Sequence, residues 1–259
     1  MNDLKLVIVA SWLLSVSLIH AERVSWDGDA GDGRWSTAAN WSSDRLPRVG
    51  DAVFIKDAEV LWEDANEHGN LLASSLHLLG KAHLRLLSVF RANHAEVFIG
   101  PQATLSGSGG NVFLDWLGAK VTFEHGASVE GSLIWETKSQ PSFTFQLGAD
   151  GFEPLEPELM MQAKTSVHQE STYVVDMAAY QGPEADVLLV RYQKAISDPG
   201  SDWFTKVSQR IQGKGEFIGS YLHWDEPQRS LVLKVRKHLQ GRPTGRSLLT
   251  IGALSIKQR

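Results

Sequence analysis

This chain of 259 residues predicts an all-β fold: a parallel, right-handed β-helix-like β-solenoid of about five coils, followed by a smaller β-rich C-terminal region. Three observations carry the prediction. The first is a repeat. SLHLLGKAHLRL from Ser75, EVFIGPQATLSG from Glu96 and KVTFEHGASVEG from Lys120 share one order: apolar, any, apolar, three residues, alanine, any, apolar. The matched columns are Leu76, Val97 and Val121; Leu78, Ile99 and Phe123; Ala82, Ala103 and Ala127; Leu84, Leu105 and Val129. The pattern extends outward to Val53, Ile55, Glu59 and Leu61, and to Phe143, Phe145, Ala149 and Gly151, with successive offsets of 23, 21, 24 and 22 residues. The second is strict alternation on each side of a Gly, Pro or His-Gly corner, the two-residue period of a strand. A repeat this short lies below the helical repeats and fits short strands stacked coil on coil. The third is the absence of cysteine, so that stability must come from an extended core instead of disulfides. A β-sandwich with evenly spaced strands is the alternative.

The elements follow in order. Lys5, the apolar run Leu6 to Ile19 and the step from Ala21 to Glu22-Arg23 read as a signal peptide over residues 1–21. As a helix that run would reach only about 21 Å, short of a hydrocarbon core of about 30 Å, so no stable membrane span is expected after cleavage. Residues 22–52 form a Trp/Asp/Gly-rich capping segment, residues 53–155 the solenoid repeats, residues 156–240 the β-rich C-terminal region and residues 241–259 a tail. The alanine column marks corners with room for a methyl group and little more. Past Pro154 and Pro157 the period breaks, and ELMMQAK from Glu158 reads as a helical turn or two. Strands return at STYVVDM from Ser171, ADVLLVRY from Ala185, EFIGSYLHW from Glu216 and SLVLKVRK from Ser230. SDWFTKVSQRI from Ser201 is ambiguous and is read as strand.

The stretch WDGDAGDGRWSTAANWSSDRLPRVGDAVFI, Trp26 to Ile55, resembles the start of the autotransporter-associated, passenger-like β-solenoid proteins exported by Planctomycetes, Verrucomicrobia and related bacteria. There W-x-G, GDG-x-W, NW, LP and GD-x-V-x-I recur in this order. GKGEFIGSYLHWDEPQRSLVLKV is similar to the closing segment of the same proteins. Many of them end in a PEP-CTERM-type sorting tail: a Pro-Glu-Pro signal, an apolar span and a basic cluster. Here Arg242-Pro243 leads only to LLTIGALSI and Lys257-Gln258-Arg259, which reads as a final strand. The resemblance implies a fold and a secreted, periplasmic or cell-surface location, and no established reaction.

Composition narrows the partners. A formal charge of -5 without a basic patch argues against nucleic acid. Asp27, Asp29 and Asp32 on a Gly-rich loop offer hard oxygen ligands for calcium, but without the alternating positions and distant glutamate of a helix-loop-helix site. They serve equally as turn formers. Trp26, Trp35 and Trp41 would stack on sugars if exposed; placed ahead of the first repeat, they suit a cap over the open end of a solenoid. Trp62, Trp116 and Trp135 are the candidate glycan-binding residues, on the condition that they form an exposed outward strip. His77, His83, His94 and His125 lack zinc-helix spacing, and His223-Trp224-Asp225-Glu226 reads as a strand end and turn. No repeat column stacks two carboxylates, and no catalytic residue or cofactor is assigned. The reading is an exported, non-catalytic structural or adhesive protein whose partner is extracellular or cell-wall polysaccharide. The alternatives are a lectin-like module and a β-helix polysaccharide lyase or glycoside hydrolase.

Overall fold

The computed structural model describes residues 22–63, 70–138, 140–157, 159–161, 171–195, 204 and 207–238, with backbone only at 109–114, 132–138, 159–161 and 195. The expected signal peptide and the expected final strand lie outside the described residues.

Strand β1 (Arg23–Ser25) precedes a 3-10 turn at Ala38–Asn40. The first coil holds β2 (Ala52–Lys56), β3 (Glu59–Trp62) and β4 (Asn70–Leu71). The second holds β5 (Ser75–Leu79), β6 (His83–Leu86) and β7 (Phe90–Ala92). Next come β8 (Glu96–Ile99) with β9 (Thr104–Leu117), β10 (Lys120–Glu124) with β11 (Ser128–Lys138), and β12 (Ser142–Gln146) with β13 (Leu159–Met161). The C-terminal part adds β14 (Thr172–Asp176), β15 (Asp186–Arg191), β16 (Lys194–Ala195), β17 (Ser208–Gln212), β18 (Tyr221–Asp225) and β19 (Ser230–Lys234).

Two parallel sheets form the solenoid. Sheet one runs β1-β2-β5-β8-β10-β12-β14-β17. Sheet two runs β3-β6-β9-β11-β13-β16, with β4 and β7 alongside. A separate antiparallel sheet, β15-β19-β18, follows. The repeat register is the pairing register: Val53 faces Leu76, Leu76 faces Val97, Val97 faces Val121 and Val121 faces Phe143. About three coils are regular, fewer than the five expected, because the outer coils carry insertions.

Side chains from the inner faces of both sheets make one core. Ala82, Ala103 and Ala127 are buried at the corners, as their column requires. At the first of these corners Gly80 adopts φ +57°, and a Cβ there would lie 2.2 Å from Asp57 Oδ1, the atom that accepts the Lys81 amide at 2.8 Å. Larger rings form a chain along the solenoid axis. Trp26 meets Trp41 at 5.0 Å between centroids, Trp41 meets Trp35 at 4.7 Å, and Trp35 meets Trp62 at 4.7 Å. The chain continues through Phe90 (5.0 Å), Trp116 (6.3 Å), Phe143 (6.3 Å) and Tyr173 (5.5 Å) to Phe204 (6.3 Å).

The N-terminal segment occupies the first edge of both sheets. β1 pairs with β2, and the Trp26 amide donates to the Phe54 carbonyl at 2.8 Å. On sheet two the Trp35 amide donates to the Leu61 carbonyl (2.9 Å), and the Leu61 amide donates to the Gly33 carbonyl (2.8 Å). Backbone groups that an open solenoid end would present are thereby paired.

Three local expectations need correction. Glu59 and Leu61 do not enter the core; Val60 and Trp62 do, because Val60 pairs with Leu84. A slip of one residue reverses the faces of a strand. Ala149 is exposed and Gly151 lies outside any strand; a turn closes there with the Gly148 amide on the Gly151 carbonyl, and Leu155 takes the buried position expected of Gly151. ELMMQAK contains β13 instead of a helical turn, since Leu159 and Met160 pair with Ile134 and Trp135 of β11 and ladder pairing overrides local propensity. Glu158 and residues 162–164 of that segment lie outside the described residues. In SDWFTKVSQRI, Phe204 sits in a 3-10 turn and Ser208–Gln212 is strand, while Trp203 lies outside the described residues.

Candidate functional site

Trp62 and Trp116 were expected to face outward, and both are fully buried in the axial ring chain. The Trp62 indole N–H donates to the Val89 carbonyl at 3.0 Å, so even its polar edge is used internally. Neither residue offers a face to a sugar. The slip at β3 explains Trp62. Trp116 lies on a stretch of β9 that the repeat alignment does not cover. Trp135 lies in β11 opposite Leu114 and Met160, and its side chain lies outside the described residues. Trp35 and Trp41 are buried and Trp26 half-buried, which fits the cap and removes the sugar-platform reading at this end.

The acidic N-terminal loop is organised by its own hydrogen bonds. Asp32 Oδ1 accepts from the Arg34 amide (2.9 Å) and from Asn40 Nδ2 (2.6 Å), while Oδ2 accepts from Thr37 Oγ1 (2.6 Å). These bonds, the Thr37 hydroxyl first, hold the Asp32 carboxyl below the usual carboxylate range. Asp27 Oδ1 accepts from the Asp29 amide at 3.3 Å, and both residues are exposed. Among the described residues no three His, Asp or Glu side chains converge as a metal site. Sequence reasoning missed the organiser of this loop. Asn40 is fully buried; its Oδ1 accepts from the Ala30 amide (3.0 Å), its Nδ2 donates to Asp32 and to the Arg34 carbonyl (3.1 Å), and its carbonyl accepts from Asp27 and Gly28.

A different place brings polar groups together. The Glu156 amide donates to the Val129 carbonyl at 3.0 Å, the same donor pattern that sets Ser128 beside Thr104, so Glu156 stands next to Glu130 on the outer face of sheet two. The outward row runs Leu61, Arg85, Ser106, Glu130, Glu156 and Arg191. Glu156 Oε1 accepts from Arg191 Nη1 at 3.3 Å. Glu130 makes no ion pair among the described residues. Glu130, Glu153, Glu156, Ser128 and Gln193 line a cleft of about 640 Å³ between sheet two and the step into the antiparallel sheet. The expectation that no row places two carboxylates side by side is thus corrected, and the reason is the displaced register: Leu155, four residues beyond Gly151, carries Glu156 into line. Asp115 and Glu136 are a second such neighbour pair by strand register. There the Asp115 side chain is buried and bridged by Arg91 Nε at 3.2 Å.

His223-Trp224-Asp225-Glu226 ends β18 and opens its turn, which Asp225 Oδ1 closes by accepting the Gln228 amide at 3.2 Å. Among the described residues no helix is long and apolar enough to cross a membrane. Family models, curated proteins and solved structures were each compared with the chain, and none matches.

Proposed function

We propose that this chain is an exported, non-catalytic β-solenoid of the cell surface or extracellular matrix that adheres to polysaccharide through the outer face of sheet two. The observation that carries the reading is the cleft at Glu130, Glu153, Glu156, Ser128 and Gln193. Carboxylate and amide oxygens accept hydrogen bonds from sugar hydroxyls, and the Ser128 hydroxyl and Gln193 amide supply donors. A stack of paired strands holds such groups in fixed register, which lowers the ordering cost of binding a long chain. The apolar run before Glu22 and the resemblance of Trp26 to Ile55 support export, with the mature chain starting at or near Glu22.

Glycoside hydrolysis is the second reading, favoured by one observation: the Glu156 amide bonds the Val129 carbonyl, which sets Glu156 beside Glu130 on the outer face, and glycosidases act through two neighbouring carboxyl groups. Weighing against it, a general acid keeps its proton through burial, whereas Glu130 is exposed and Glu156 is paired with Arg191. A glycan array with the wild type, Glu130→Gln and Glu156→Gln, run beside reducing-end and unsaturated-product assays, tests both. Saturable binding lost in Glu130→Gln without product supports adhesion. Product formation abolished by either substitution establishes the second reading, and absence of saturable binding overturns the first.

A further inference from the structure

On the outer face of sheet one a second row of rings stands in register. Phe54 of β2, His77 of β5 and Phe98 of β8 occupy one outward row, beginning at Ser25 of β1. The Phe54 and His77 rings lie 4.5 Å apart and within 6° of parallel, and Phe98 follows at 5.9 Å, tilted by 38°. The Arg23 guanidinium lies over the opposite face of this stack, 4.1 Å from the Phe54 centroid. The Phe54 ring is therefore held between His77 and Arg23, so this end of the row acts as a clamp. What it clamps is β1, whose three residues hold the first edge of sheet one.

We propose that the Arg23–Phe54–His77 stack is a pH-sensitive latch: protonation of His77 weakens the hold on β1 at the first edge of sheet one. With His77 neutral, Phe54 offers its electron-rich face to one cation, Arg23. With His77 protonated, the same ring lies between two cations, which repel one another across it. The charged groups facing the row are Arg23 on β1, Lys56 on β2, Glu96 on β8, and Lys120 and Glu124 on β10. Ser75 Oγ lies 3.2 Å from His77 Nε2. Glu96 favours the imidazolium, but it is engaged by Lys120 Nζ at 2.9 Å. Glu124 lies beyond Phe98, near Gly100. Lys56 and Arg23 make no ion pair among the described residues. Partial burial is the largest influence; with the smaller effect of Arg23 it outweighs the opposing Glu96 charge and holds His77 below its ordinary value. A depressed histidine contributes stability that is complete above its unfolded pKa of about 6.5 and is lost as the pH falls from there through the folded value.

Hydrogen-exchange protection of the full chain tests the latch. The reporters are the Trp26 amide, which donates to the Phe54 carbonyl, and the Ala52 amide, which donates to the Glu22 carbonyl. The internal standards are the Gly100 and Lys120 amides, which lie deeper in the stack. Between pH 8 and pH 5 the wild type should lose protection at both reporters relative to the standards. His77→Phe keeps the ring and removes the titration, so its reporters should hold their relative protection. His77→Gln should expose both reporters equally at the two pH values. An equal acid loss in His77→Phe, or no loss in the wild type, overturns the proposal.

Discussion

Trp35 meets Trp62 edge to face, with ring centroids 4.7 Å apart and planes at 67°, and this contact joins the N-terminal segment to the first coil. Both rings are buried, and each also meets a second ring, Trp41 for Trp35 and Phe90 for Trp62. The cap is therefore continuous with the core. Trp35→Ala should lower unfolding free energy by about 3 to 5 kcal/mol in urea titration, from lost transfer energy and the cavity left behind. Trp26→Ala, at a half-buried position, should cost less. If Trp35→Ala changes stability by less than about 0.5 kcal/mol, a typical surface effect, the segment is not part of the cooperative unit.

The repeat register makes a face-specific prediction. Val97 and Val121 are paired and buried, whereas Thr122, the next residue on β10, points outward. Val97→Asp or Val121→Asp buries an unpaired carboxylate at a cost of several kcal/mol against a total stability of about 5 to 15 kcal/mol. Both variants should be unfolded or melt far lower by circular dichroism, while Thr122→Asp should melt near the wild type. Equal melting of Val121→Asp and Thr122→Asp would contradict the assigned faces.

The three central coils were legible because Leu76, Val97 and Val121 recur with nothing inserted between strand and corner. Where the chain adds residues the period fails. Val24 faces Val53 across 29 residues, Phe143 faces Tyr173 across 30 and Tyr173 faces Gln209 across 36, so the outer strands of sheet one were invisible to a period in the low twenties. Trp62 was misassigned because the alignment put Glu59 and Leu61 in the core, and a one-residue error moves a side chain to the other face. A usable signal was present: Trp62, Phe90, Trp116 and Phe143 follow one another at offsets of 28, 26 and 27 residues, which marks a buried ring column. The Glu130–Glu156 adjacency had no such signal. It depends on a turn at Gly148 to Gly151 whose length only the folded ladder sets.

The N-terminal loop should behave as a hydrogen-bonded structure. Asn40→Ala removes acceptance from the Ala30 amide and donation to Asp32 and the Arg34 carbonyl at a fully buried position. The expected loss is about 2 to 4 kcal/mol by chemical denaturation, from partners left unsatisfied. Asp32→Ala should lower the melting temperature less. Chelation by EDTA or addition of calcium should leave the wild-type melting temperature unchanged, because Asp32 already spends both oxygens on Arg34, Asn40 and Thr37. A calcium-dependent rise lost in Asp32→Ala would restore the metal reading.

Acid sensitivity should have a component that belongs to Asp51. Its side chain is almost fully buried at the entry to β2, where it accepts from Arg45 Nη1 at 2.6 Å, Arg45 Nη2 at 3.2 Å and the Arg48 amide at 2.7 Å. Burial alone would raise its pKa. The hydrogen bonds from Arg45 and Arg48, with the Arg45 charge, overcome that and leave it lowered. A carboxyl whose folded pKa lies below its unfolded value adds stability that is present above about pH 4 and is lost as the pH falls through the folded value. Asp51→Asn should therefore be less stable than the wild type at pH 7 by about 3 kcal/mol, because the half-buried Arg45 loses its buried partner and keeps only the exposed Glu22 carboxylate, at 2.5 Å. The gap should narrow as the pH is lowered below about 4, since the wild type then loses the same charge by protonation. Urea unfolding of both proteins across that range measures the difference directly, and two curves that stay parallel down to the lowest pH would show that the Asp51 charge does not hold this corner.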